Sequence, residues 1–118
     1  MMLIAFDVDD TLGVSGGPIP LDFLLELRSK GHIVGLCGNW ALFVRQTPDW
    51  PYIVSFLGPM EMTKTAFLLQ LRTYIQADAY VMVGNDTDKP HAEAAGFRFV
   101  YERHWKEIDQ DLPFRKTL

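Results

Sequence analysis

The run Leu3-Ile4-Ala5-Phe6-Asp7-Val8-Asp9-Asp10-Thr11-Leu12 constrains this chain more than any other stretch, because four apolar residues break almost at once into three carboxylates. An apolar run without polar alternation reads as a short strand buried on both faces, as at the centre of a parallel sheet. Ligands of open α/β sheets sit outside the carboxyl ends of the strands, which is where Asp7 and Asp9 fall. In extended backbone, residues two apart share a face, so Asp7 and Asp9 are expected on one side and Asp10 on the other. Two carboxylates about 4 Å apart repel by roughly 4 kcal/mol at an effective dielectric near 20. A shared proton, a basic side chain or a divalent cation can offset that repulsion. An all-oxygen cluster suits a hard cation such as Mg2+. Aspartates also cap helices and make turns, but one cap needs one carboxylate and here three arrive directly after a buried strand.

The remaining chain alternates in the same way. Gly13 to Pro20 is a loop by its glycines and prolines. Pro20 and Asp22 open a helix that Gly31 stops. Ile33 to Cys37 is a second apolar strand, and Trp40 to Gln46 a short helix closing before Thr47-Pro48-Asp49-Trp50-Pro51. Tyr52 to Leu57 reads as the third strand. Thr63 is a candidate N-cap for the helix in which Phe67, Leu68, Leu71 and Ile75 form one stripe. Ala79 to Val83 is a fourth strand, Pro90 to Ala95 a short helix ended by Gly96, and Phe97 to Tyr101 a fifth strand. The polar tail from Glu102 to Leu118 is expected to add a helical turn or to lie across the surface.

Strands alternating with helices imply parallel pairing through right-handed crossovers. The expected fold is therefore α/β, a three-layer α/β/α sandwich around a five-stranded, mainly parallel, Rossmann-like sheet. At 118 residues the chain is long enough for one core, so residues 1–118 are read as one domain. Its 48% hydrophobic and 22% charged residues are ordinary globular composition. A net charge of −4 leaves no basic field for a nucleic-acid backbone, so an anionic substrate would need help from a metal. The single Cys37 excludes an internal disulfide and fits a reducing compartment. The first apolar run has no basic start and stops at Asp7, unlike a signal peptide, and no run has the length of a membrane span. A cytoplasmic protein is the expectation.

Asp7-x-Asp9-x-Thr11-Leu12 after an apolar strand resembles the first motif of the haloacid dehalogenase-like (HAD) superfamily of phosphatases. The resemblance implies that Asp7 is a nucleophile forming an aspartyl phosphate and that Asp9 is the general acid and base. It also implies the strand order 5-4-1-2-3. The family's second motif carries a Thr or Ser hydroxyl, for which this chain has Leu36-Cys37-Gly38-Asn39, so the backbone N–H groups of Gly38 and Asn39 would hold the phosphoryl group, with Thr11 beside them. Lys64 matches the third motif and would neutralise Asp7 and the phosphoryl oxygens. Gly84-Asn85-Asp86-Thr87-Asp88 resembles the fourth, although Asn85 stands where the family usually has Asp. By this resemblance Asp7, Asp9 and Asp86 bind Mg2+, with Asn85 or Asp88 as second choice. His91 reads as an exposed helix-start histidine that could reach the same rim. Cys37 reads as a buried apolar side chain, with nothing basic beside it in sequence.

The gaps Gly13 to Pro20 and Gly58 to Met62 hold at most a flap, so the resemblance is to a cap-less member. An open site of that kind implies a phosphorylated macromolecule, or a small phosphate ester enclosed by another subunit. Three Trp and eight Phe in so short a chain leave self-association open. The expected activity is Mg2+-dependent hydrolysis of a phosphate monoester. The alternatives are a phosphate- or metal-binding domain with little turnover, motivated by Gly38 and Asn85, and a signalling receiver-like domain. The last would need an acid at the end of the third strand, where Ser55-Phe56-Leu57-Gly58 has none.

Overall fold

The five apolar runs pair as five strands in a computed structural model that describes residues 1–108: β1 (Met2–Phe6), β2 (Ile33–Leu36), β3 (Phe56–Leu57), β4 (Ala79–Gly84) and β5 (Arg98–Tyr101). All pairings are parallel, and the order across the sheet is β3-β2-β1-β4-β5. The central position of β1 agrees with its composition. Leu3 lies opposite Ile33 on one side and Tyr80 on the other, and every residue of the strand is buried.

The helices are α1 (Leu21–Ser29), α2 (Ala41–Gln46), α3 (Trp50–Ile53), α4 (Lys64–Tyr74) and α5 (Lys89–Ala94). Side chains alternate across a strand, and β1 feeds two separate cores accordingly. Met2, Ile4 and Phe6 pack with Leu24 and Leu27 of α1 and Ile53 of α3. Leu3 and Ala5 pack with Leu68 and Leu71 of α4 and Ala92 of α5. Both faces of the sheet are thus covered, which is why the sequence of β1 shows no polar alternation.

The third strand differs from the expectation. Residues 50–53, placed partly in a loop and partly in that strand, form the helical turn α3, and only Phe56 and Leu57 pair with β2. Pro51 lies in the first turn of α3, where a missing N–H costs no helical hydrogen bond. The turn leaves Tyr52 78% exposed while Ile53 enters the core. Glu102–Glu107 form a 3-10 helix, with Trp105 edge-on to Phe23 at a centroid distance of 4.8 Å. The rest of the expected tail, residues 109–118, lies outside the described residues. Among the described residues no helix is long and apolar enough to cross a membrane.

Candidate functional site

Asp7 is held at the carboxyl end of β1 because its N–H still donates to the Val83 carbonyl of β4, at 2.8 Å. Its side chain is 5% exposed. Lys64 is the first residue of α4, whose start is set by Thr63: the Thr63 hydroxyl accepts the Ala66 N–H at 3.1 Å. From there the Lys64 ammonium donates to Asp7 Oδ1 at 2.9 Å and also to Asp88 Oδ1. Asp88 is the residue before α5 and is 1% exposed. Residues 7, 64 and 88 thus converge from a central strand and the starts of two helices. The second oxygen of Asp7 receives long side-chain contacts from Thr11 Oγ1 and Asn85 Nδ2, each at 3.4 Å.

The acid that joins this cluster is Asp88 and not Asp86. Asn85 to Asp88 form a closed turn: the Asp88 N–H donates to the Asn85 carbonyl at 3.0 Å, and the Asn85 N–H donates to Asp88 Oδ2 at 3.0 Å. The Thr87 N–H and hydroxyl both donate to Asn85 Oδ1, at 3.0 and 2.5 Å. This turn folds the Asp88 carboxylate back towards β4 and leaves Asp86 exposed, with no side-chain hydrogen bond or ion pair among the described residues. Gly84 is part of the same device, since a Cβ there would run into the Asp88 carboxylate.

Asp9 does not continue the strand beside Asp7. The Val8 carbonyl accepts the N–H groups of Thr11 and Leu12, at 3.1 and 3.0 Å, so the chain turns immediately after Asp7. Asp10 adopts φ 60°, a left-handed conformation that Asp tolerates better than most residues. Asp9 and Asp10 are consequently exposed, while Thr11 is fully buried. The extended-backbone argument for a shared face therefore ends at residue 8.

The missing hydroxyl at position 38 has a steric reason. A Cβ on Gly38 would come to 2.5 Å from Asp7 Oδ1 and 3.4 Å from the Val8 nitrogen, so this backbone passes too close to the carboxylate for any larger side chain. The N–H groups of Gly38 and Asn39 make no hydrogen bond to another described residue. Asn39 is exposed. His91 differs from its expected exposure: it is half-buried, and its Nδ1 lies 2.7 Å from Thr65 Oγ1, linking α5 to the first turn of α4.

Burial raises the Asp7 carboxyl above its ordinary value, and the nearby Asp88 charge pushes the same way, against the opposing pull of the Lys64 hydrogen bond. For Lys64, burial alone would lower the ammonium, but its hydrogen bonds to Asp88 and Asp7 outweigh that and raise it. The ammonium is therefore firmly protonated at neutral pH. Burial pushes the Cys37 thiol up to about 12, so it is no nucleophile.

Beside the cluster a cavity of about 300 Å3 opens between the turn after β2, the loop after β3 and the start of α4. Gly38 and Lys64 border both the cavity and Asp7. Trp40 fixes the two loops together, its indole N–H donating to the Gly58 carbonyl at 2.6 Å. Neither the cavity nor the Trp40 link has a sequence signature, because both depend on loops that meet only in three dimensions. The small residues Gly38 and Gly58 were the only hint of close approach. Comparison with protein-family models, with curated proteins and with solved structures gave no match.

Proposed function

We propose that this chain is a Mg2+-dependent phosphohydrolase acting on a phosphate monoester, with a three-layer fold of the haloacid dehalogenase-like type. The observation that carries the reading is the buried Asp7 carboxylate at the mouth of the central strand, joined through Lys64 to a second buried carboxylate, Asp88. A carboxylate nucleophile needs a defined position and a nearby cation to receive negative phosphoryl oxygens, and this cluster offers both.

The donor set fits a hard divalent ion. Two carboxyl groups face one ammonium, and the side-chain donors to Asp7 Oδ2 among the described residues stand off at 3.4 Å. Mg2+ commonly takes one or two carboxylates and completes its shell with water and phosphate oxygens. Asp7 and Asp88 would hold it, and once bound it would neutralise charge on the phosphoryl group. In the proposed chemistry an Asp7 oxygen attacks phosphorus, the bond from phosphorus to the ester oxygen breaks, and Asp9 gives its proton to the departing alcohol. Water then attacks the aspartyl phosphate, Asp9 takes up the proton, and inorganic phosphate leaves Asp7 free again. Lys64 holds Asp7 and faces the developing charge. The free N–H groups of Gly38 and Asn39 are available to the phosphoryl oxygens.

A second reading, a phosphate- or metal-binding domain with little turnover, is favoured by Asp9, which is exposed and makes no side-chain bond among the described residues. Screening phosphate esters with and without Mg2+, beside Asp7→Asn, separates the two. Metal-dependent phosphate release lost in the variant is the expected result. Mg2+ binding without hydrolysis of any ester would favour the second reading.

A further inference from the structure

The cavity beside Asp7 is lined mainly by apolar side chains and glycine. Cys37 and Phe67, 2% and 8% exposed, form its fixed floor, while Pro59, Met60 and Met62 form its sides. Among the described residues, Lys64 is the one charged residue lining it, and Asn39 and Thr63 bring the other polar side chains. Because Gly38 and Lys64 also touch or border Asp7, this space adjoins the place where a phosphoryl group set at Asp7 would carry its ester substituent.

We propose that the cavity receives the alcohol portion of the phosphate ester and selects a single apolar or aromatic ring, or a short branched alkyl chain, over sugars, polyols and nucleotides. The assignment rests on the phosphohydrolase reading and adds the substrate class to it. Volume and polarity both enter the argument. Ligand pockets range from about 300 to 1,000 Å3, so this one suits a ring and is small for a base with its ribose. Polyol hydroxyls would exchange water for thioether and phenyl surface and lose hydrogen bonds. An apolar ring loses nothing of that kind, and the unbranched, polarisable methionines can adjust around it.

The test compares benzyl phosphate with glycerol 3-phosphate, both esters of alkyl alcohols, so that leaving-group acidity does not decide the outcome. Acetyl phosphate, which carries no ring, serves as the minimal substrate. In parallel, benzylphosphonate and methylphosphonate binding is measured by calorimetry on the wild type, Met62→Ser and Met60→Ser. The second variant is at the exposed rim, so a folding defect in the first leaves the test intact. The expected results are kcat/KM for benzyl phosphate at least about tenfold above that for glycerol 3-phosphate, and benzylphosphonate binding at least about tenfold tighter than methylphosphonate. Both ratios should shrink towards one in the methionine variants. Equal binding of the two phosphonates, or a preference untouched by both variants, overturns the assignment. If neither the esters nor the acyl anhydride acetyl phosphate is hydrolysed while the phosphonate preference and its loss persist, the phosphohydrolase reading fails and the cavity stands as an apolar subsite beside an anion site.

Discussion

Gly38 is where a single side chain matters most. Its missing Cβ makes room for Asp7 Oδ1, and Asp7 cannot retreat without breaking its 2.9 Å bond to Lys64. Gly38→Ala should therefore cost about 1–3 kcal/mol by overpacking, measured as a lower urea midpoint, and should depress any metal-dependent phosphate release with it. Unchanged stability and unchanged release would show that the carboxylate moves freely. A hydroxyl-bearing residue at 38 meets the same obstacle, so Gly38→Thr is not expected to improve turnover. Asp7 and Lys64 could be picked out as candidates from their places at a strand end and a helix start. The choice between Asp86 and Asp88 could not, because it depends on how the Asn85 side chain and backbone close a four-residue turn.

At the scale of elements, α4 does two tasks. Phe67, Leu68 and Leu71 bury its inner stripe, each worth about 1.5–3 kcal/mol relative to exposure, and that docking carries Lys64 to Asp7 at the carboxyl end of the central strand. The Thr63 cap decides on which residue the helix begins. Thr63→Ala should lower stability by about 1 kcal/mol, read from thermal or urea unfolding, and should weaken Mg2+-dependent activity because Lys64 lies in the frayed turn. A loss of stability with full activity would separate the cap from the site. The stripe of α4 and the apolar runs of β1, β2, β4 and β5 were readable from periodicity. The segment 50–57 was not: a short apolar run with a proline is compatible with strand or turn, and here residues 50–53 close as a helical turn, with Pro51 in its first turn and the Val54 N–H donating to the Trp50 carbonyl at 3.0 Å.

For the molecule as a whole, Lys64 is the joint between β1, α4 and the turn before α5. Removing it leaves two buried carboxylates without a cation. Lys64→Met should cost about 3–5 kcal/mol, and adding Asp88→Asn should recover part of that loss, a coupling that a double-mutant cycle measures. Additive effects would show that the three charges act independently. The same linkage has a pH signature. A lysine raised on folding contributes stability that is fully present below its unfolded value, about 10.4, and that is lost as pH rises through the higher folded value. The wild type should thus lose stability above that pH more steeply than Lys64→Met. Asp7 has the same sign of effect in a lower pH window: with its carboxyl raised by burial, its contribution declines as pH climbs from the ordinary carboxylate value towards the raised one.

What the sequence determined by itself is the parallel α/β class, a first strand buried on both faces and a carboxylate at that strand's end, because doubly buried strands and amphipathic helices are written in local hydrophobic pattern. Tertiary structure alone decided which acids meet and what borders them. The turn at Val8 sends Asp9 outward, the Asn85 turn brings Asp88 inward, and two loops pinned by Trp40 enclose an apolar cavity. These outcomes depend on a few hydrogen bonds and close contacts between residues far apart in the chain, which no local pattern encodes.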